Sequence, residues 1–299
     1  MSNAIVAVDP RVESDESVLA RPPLKSAGGK TRLLPELLQR VPSSFANYHE
    51  PFVGGGALYW ALAESGRLDG VGRSPYRRIA RLSDLNEHLV RTYQAIQEDV
   101  GGLVLRLRQM PHDKEYFLAL RERDVLAAGV PDVEVAAWFI YLNKCAFNGL
   151  FRVNKAGKFN VPWGDYKKPN ICDEPTLRAC AAVLKRVKTE IERMSFERIL
   201  DYAKADDFCY LDSPYHPLSK TSNFTSYNGG GFKLEDQERL RDVALELKRR
   251  GVHVLLSNSD CPTIRELYTD GFTIEAVEAP RSINSKGDGR GNVSELLIR

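Results

Sequence analysis

The sequence predicts an α/β fold, and three observations carry that expectation. From Ala46 onward, short apolar runs alternate with longer stretches of helical periodicity. The first four apolar runs each end in a loop of unusual composition, reading PFVGGG, DLN, DSPY and SNSD. Between Asn86 and Pro175 the alternation stops and helix-like stretches follow one another.

Taken in order, residues 1–22 are polar, acidic from Asp9 to Glu16, and end at Pro22-Pro23, which reads as a disordered tail. Strands are expected at Asn47–Glu50, Ile79–Ser83, Phe208–Leu211, Val252–Leu256, Phe272–Glu278 and Glu295–Ile298. Helices are expected at Glu87–Gln97, Leu103–Gln109, Lys114–Ala128 and Val133–Lys144. Asn154 to Gly157 suits a hairpin turn between Phe151–Val153 and Lys158–Val161. Residues 23–85 and 176–299 then form one catalytic domain, and 86–175 a mostly helical inserted module. Ligands in open α/β sheets bind at the carboxyl ends of strands, so four special loops there point to one cleft.

Composition narrows the function classes. The 299 residues are 43% hydrophobic and 27% charged, an ordinary globular balance. A net charge of +2 singles out no polyanion-binding surface by itself, so any basic surface must be local. The cysteines at 145, 172, 180, 209 and 261 are odd in number and form no C-x-x-C pair. Disulfides and a cysteine–zinc cluster are therefore not expected, and a reducing, cytoplasmic location fits. No apolar run reaches the roughly 18 residues that span a bilayer, and the N-terminus lacks the basic and apolar regions of a signal peptide.

The sharpest local signal is Asp212-Ser213-Pro214-Tyr215, directly after FCYL. An exocyclic amino group delocalises its nitrogen lone pair into its ring. Two acceptors aimed at its two hydrogens favour tetrahedral geometry and free that pair. The Asp212 carboxylate supplies one acceptor and the backbone carbonyl of Ser213 the other. Tyr215 offers a flat face for a flipped base. An Asp capping a loop beside a packed Tyr explains the same four residues about as well.

The second signal is EPFVGGGA, residues 50–57, ahead of an apolar helical run. Glycine lets a ligand approach a strand-to-helix turn closely, and the Lys-Ser/Thr ending of a phosphate loop is absent. Asp84 ends the next strand and can accept hydrogen bonds from ribose hydroxyls; it also suits the N-cap of the helix starting at Glu87. Lys25 to Lys30 place paired glycines between two lysines, as in a loop near an anion or simply a solvated basic loop. From Lys144 to Lys168, six Lys or Arg (144, 152, 155, 158, 167, 168) interleave with Phe147, Phe151, Phe159, Trp163 and Tyr166. That pattern fits phosphate contact with base stacking, and equally a solvated hairpin over a small aromatic core. The segment 223–227, NFTSY, followed by Asn228 and three glycines, reads as a loop that closes on substrate or as a plain connector. The histidines at 49, 88, 112, 216 and 253 form no close ligand pair, so no metal is expected.

Together, AGGK, EPFVGGG, SDLN, YLNKCAFNGLFRVNKAGKFNVPWGDYKKP, DSPY, NFTSY, SNSD and RSINS resemble the Dam-type family of DNA adenine methyltransferases, with the motif order of the alpha group. The resemblance covers about residues 24–298. It implies a seven-stranded, Rossmann-like methyltransferase sheet with an inserted target-recognition module and β-hairpin. S-adenosylmethionine is the implied methyl donor, held by Lys30, Phe52 and Gly54, Gly55 and Gly56, with Asp84 on its ribose. The implied catalytic corner is Asp212 to Tyr215. Phe147 and Asn148 match hairpin positions that wedge into duplex DNA. Lys25, Leu150, Arg152 and Pro162 match positions that read GATC, and an Arg suits bidentate contact with guanine. A monomer on DNA is implied.

Two departures stand out. Ser213 replaces the first of two prolines in the corner, which costs rigidity but keeps the carbonyl. Ser26 replaces a common aromatic beside the donor pocket. A corner of this kind also suits a cytosine amino group, RNA or a glutamine amide, and Ser213 with Ser26 also suits a DNA-binding protein whose active site has decayed.

Overall fold

The structure, a computed structural model, describes residues 18–25, 29–69, 79–154, 157–217, 231–280 and 292–299. Seven strands form one sheet: β1 (Tyr48–Glu50), β2 (Ala80–Asp84), β3 (Thr189–Arg193), β4 (Phe208–Leu211), β5 (His253–Ser259), β6 (Ile274–Pro280) and β7 (Asn292–Ile298). Their spatial order is β3-β2-β1-β4-β5-β7-β6. All neighbours are parallel except at β7, which runs antiparallel between β5 and β6. This is the Rossmann-like methyltransferase sheet that the sequence suggested.

The described α-helices are α1 (Leu34–Arg40), α2 (Ala57–Glu64), α3 (Glu87–Glu98), α4 (Val100–Arg108), α5 (Lys114–Arg121), α6 (Asp132–Cys145), α7 (Glu174–Val187), α8 (Leu234–Arg249) and α9 (Pro262–Leu267). A parallel sheet must be covered on both faces, and period-two alternation shows that it is. Phe208 and Tyr210 of β4 point into the larger apolar cluster, shared with α2, α3, α4, α6 and α7. Cys209 and Leu211 point into a second cluster with α8 and α9. Packing begins at Ala20, which is buried and donates its N–H to Glu64 Oε1 at 2.7 Å.

Five of the six expected strands shift by one to three residues at an end, and β4 lies where expected. β3 was not foreseen. It is an edge strand whose sequence, TEIER, buries Thr189 and Ile191 but is otherwise charged, so no apolar run marks it. The helix expected to reach Ala128 stops at Arg121. The hairpin reduces to single antiparallel bridges, Val153 with Phe159 and Ala146 with Trp163. Its turn closes through Gly157 N–H to Asn154 O at 2.9 Å, while Lys155 and Ala156 lie outside the described residues.

Candidate active site

Adjacent parallel strands deliver two special loops to one edge of the sheet. β1 and β4 pair in register, Tyr48 with Phe208 and His49 with Cys209, so their carboxyl ends emerge side by side. After β1 comes the glycine loop, and after β4 comes Asp212. Glu50, the last residue of β1, is buried and feels the charge of Asp212 directly.

Asp212 is held from two sides on one oxygen. Ser257 Oγ, from β5, donates to Oδ1 at 2.7 Å, and Lys30 Nζ lies 3.0 Å from the same atom. The Lys30 ammonium also sits over the Tyr215 ring, 4.3 Å from its centroid. Tyr215 donates its hydroxyl to Glu295 Oε2 at 2.6 Å. Burial raises the Tyr215 phenol well above its ordinary pKa, with Asp212 and Glu295 adding to the effect, so it stays a donor. Backbone anchors fix the corner: Gln237 Nε2 donates to Pro214 O at 2.9 Å, and His216 N–H donates to Asn258 Oδ1 at 3.1 Å. Ser213 is buried, and its hydroxyl has no hydrogen-bond partner among the described residues.

The glycine loop is built to present backbone. Gly54 and Gly56 take φ of +46° and +66°, the left-handed region where a side chain is strained. Gly56 caps α2, and a Cβ there would meet Trp60 Nε1 at 3.1 Å. Side chains brace the loop from beneath: Tyr93 donates to Gly54 O at 3.0 Å and Trp60 Nε1 to Gly55 O at 3.1 Å. Phe52 stacks on Phe196, centroids 5.3 Å apart. Asp84 accepts from Gly54 N–H at 3.3 Å and from Asn86 N–H at 2.9 Å. It is not the N-cap of α3. Asn86 fills that place, accepting from Leu89 N–H at 3.4 Å, because Asp84 lies two residues too early and ties two loops together instead. Burial raises the Asp84 carboxyl above its usual range, opposed by those backbone donors.

Glu50 was not singled out from sequence. It accepts the Tyr48 hydroxyl at 2.8 Å. Burial pushes its carboxyl up to about 8, against hydrogen bonds from Tyr48 and the Tyr59 backbone and with Asp212 reinforcing the rise. Ser257 opens the SNSD string that the sequence marked as a loop, but it lies within β5, and its bond to Asp212 was not foreseen; Glu295 was not singled out, its strand giving an apolar pattern but no chemical signal.

The hairpin forms a second surface. Phe147 is 51% exposed, and Asn148 beside it takes φ of +54°. Phe147 N–H donates to Pro162 O at 2.9 Å, bringing those two positions together. Leu150 is half-buried and Arg152 exposed, its Nε held by Asn160 Oδ1 at 2.8 Å. Phe151 and Phe159 are buried, so for them the aromatic-core explanation holds; Phe147 remains outside. Lys25 Nζ lies over Tyr166, 4.2 Å from the centroid. Lys25, Lys144, Tyr166, Lys167 and Lys168 line a cavity of about 390 Å³. Lys25 is fastened to the hairpin by Asn143, which accepts its N–H at 2.8 Å and donates to its carbonyl at 2.7 Å and to Gly149 O at 2.9 Å. Ser26, the NFTSY segment and the RSINS segment lie outside the described residues.

These features can be set beside known proteins. Residues 26–283 match the family of D12 class N6 adenine-specific DNA methyltransferases. A type II methyltransferase of Lactococcus lactis subsp. cremoris is 39% identical over 93% of this chain and 94% of its own. A type II methyltransferase of Methanocaldococcus jannaschii is 38% identical over 93% of this chain and 98% of its own. A DNA adenine methylase of Vibrio cholerae is 35% identical over 92% and 94%. Among the described residues, no helix is long and apolar enough to cross a membrane. A motif-bearing sheet edge, a matching family over most of the length, and relatives that align nearly end to end agree, and the chain belongs to the D12 class of N6 adenine-specific DNA methyltransferases.

Proposed function

We propose that the protein transfers a methyl group from S-adenosylmethionine to the 6-amino group of adenine in duplex DNA, within GATC, after flipping the adenine out of the helix. One observation carries the reading. The Lys30 ammonium occupies, relative to Asp212 and Tyr215, the relationship required of the target amine: 3.0 Å from a carboxylate oxygen and 4.3 Å above an aromatic ring. A corner that binds an ammonium this way has the acceptor and the platform to bind an aminopurine.

The donor set fits S-adenosylmethionine in kind. Backbone at Gly54, Gly55 and Gly56 and the carboxylate of Asp84 meet at the strand ends where such ligands bind, and Phe52 lies in the same loop with its ring on Phe196. The donor supplies an electrophilic methyl carbon. Asp212 accepts one hydrogen of the adenine amine and the Ser213 carbonyl the other, which localises the lone pair for in-line attack. Tyr215 would carry the base, which requires the Lys30 ammonium to leave the ring face that it covers. Forming the nitrogen–carbon bond would break the donor's carbon–sulfur bond and leave a neutral thioether, and the amine's extra proton would pass to the Asp212 carboxylate and from there to solvent. No side chain of this corner has to form a covalent bond to substrate.

Residues 86–175 serve as the target-recognition module. Phe147 and Asn148 wedge beside the target, and Lys25, Leu150, Arg152 and Pro162 read the site, with the lysine-lined cavity on backbone phosphate. The protein works as a monomer on DNA in the cytoplasm. Incubating unmethylated plasmid with protein and labelled donor, then identifying the modified base by mass spectrometry and its position by sequencing, tests the whole reading. The expected product is 6-methyladenine at GATC, and Asp212→Ala lowers its formation by at least roughly 100- to 1000-fold while donor binding by calorimetry persists. Methylated cytosine as the product overturns the choice of base, and full activity in the variant removes Asp212 from the chemistry.

A further inference from the structure

The antiparallel strand β7 brings an acid to the cleft from the opposite direction to every other strand. Its register sets Glu295 against Ser259, the last residue of β5, and Leu297 against Ser257. Glu295 therefore reaches the same sheet edge as Asp212, although it begins its pairing where the parallel strands end. There its Oε2 receives the Tyr215 hydroxyl at 2.6 Å, a short bond to an ionisable acceptor and of the stronger kind. The opposite constraint on the ring comes from Lys30, whose ammonium rests on its face.

We propose that Glu295 is a positioning residue for methyl transfer, holding the Tyr215 ring at the angle at which a flipped base can stack and leave its amine against Asp212. This rests on the proposed role of Tyr215 as the platform for the extruded base. A tyrosine anchored only at its Cα turns about two side-chain torsions. The phenol–carboxylate bond removes that freedom at the far end of the ring, and because Glu295 sits in the middle of a paired strand, the anchor does not move with the loop that follows Tyr215. The effect belongs to the bound base, so it acts on turnover and on the flipped state rather than on donor affinity.

The test uses the full chain with a duplex oligonucleotide carrying 2-aminopurine at the target adenine, alongside kcat and KM on the unmodified duplex. Glu295→Ala is expected to lower kcat about tenfold, reduce the 2-aminopurine fluorescence rise on binding, and leave the calorimetric affinity for S-adenosylmethionine unchanged. Glu295→Gln, whose amide oxygen still accepts the hydroxyl, recovers most of both. Tyr215→Phe reproduces the loss, and adding Glu295→Ala to it costs little more. Should Glu295→Ala unfold, the comparison is read from Tyr215→Phe, which loses kcat and fluorescence, against Glu295→Gln, which keeps most of both. Normal kcat and fluorescence in Glu295→Ala, or in Tyr215→Phe where Glu295→Ala unfolds, or losses that multiply fully when the two are combined, overturn the proposal while leaving the active-site reading intact. A wild-type protein that neither methylates the duplex nor brightens the probe overturns that reading, and this inference with it.

Discussion

Glu50 shows what burial among neutral donors does to a carboxyl group. Its folded pKa of about 8 stands above the ordinary 4.5, so between those values the folded chain holds a proton that the unfolded chain has released. The stability this contributes is fully present below about pH 4.5 and is lost as pH rises through about 8, with a steepest slope near 1.4 kcal/mol per pH unit. Glu50→Gln should flatten that slope, becoming more stable relative to wild type at pH 8 than at pH 5 in urea titrations. Parallel curves would place the proton elsewhere. His88 works in the other direction. Burial beneath Trp138, Phe139 and Phe151 brings it down to about 4 from 6.5, so its contribution is lost as pH falls through that window. Ser213 is a third case. A buried hydroxyl without a partner costs about 1–3 kcal/mol, and that of Ser213 has none among the described residues, so Ser213→Ala should gain about 1 kcal/mol and keep methyl transfer, since the corner uses its carbonyl. Activity falling to the Asp212→Ala level would assign the hydroxyl a direct part.

Elements differ in how plainly the sequence announces them. FCYL could be placed from one end to the other because all four side chains are buried, leaving no polar residue to blur the run. The corner after it was legible for a related reason: functional residues follow the strand immediately. TEIER gave no such sign, since an edge strand needs only one covered face and spends its other positions on partners such as the Arg81–Glu190 pair. The hairpin aromatics were ambiguous because stacking on a base and packing in a core demand the same residue types; only burial separates Phe159 from Phe147. Glu295 was invisible, and Ser257 legible only as part of SNSD, because their bonds to the corner come from pairing distant strands. At the glycine loop the local demand is specific. Gly56→Ala forces a left-handed alanine whose Cβ meets Trp60 Nε1 at 3.1 Å, and should cost about 1–2 kcal/mol and weaken donor affinity several-fold. Unchanged melting and unchanged calorimetry would show that the turn tolerates a side chain.

Across the whole molecule, the buried apolar residues of α3, α4 and α6 belong to the same cluster as those of β1 and β2. Asn143, on α6, adds a polar clamp between the N-terminal segment at Lys25 and the hairpin at Gly149. Asn143→Ala leaves three backbone groups without their partner and should cost about 2–4 kcal/mol, while weakening DNA binding more than donor binding. Equal losses for both ligands would mean that the clamp supports the fold alone.

The position of β7 has a consequence for how the enzyme is born. β6 joins the sheet only through β7, and β7 leaves the ribosome after the other six strands. Until it threads between β5 and β6, one flank of the sheet has an open edge and the Tyr215 phenol has no carboxylate to receive it. A nascent chain can thus carry the glycine loop and the DSPY corner before the strand that joins β6 to the sheet and anchors the Tyr215 hydroxyl has been made.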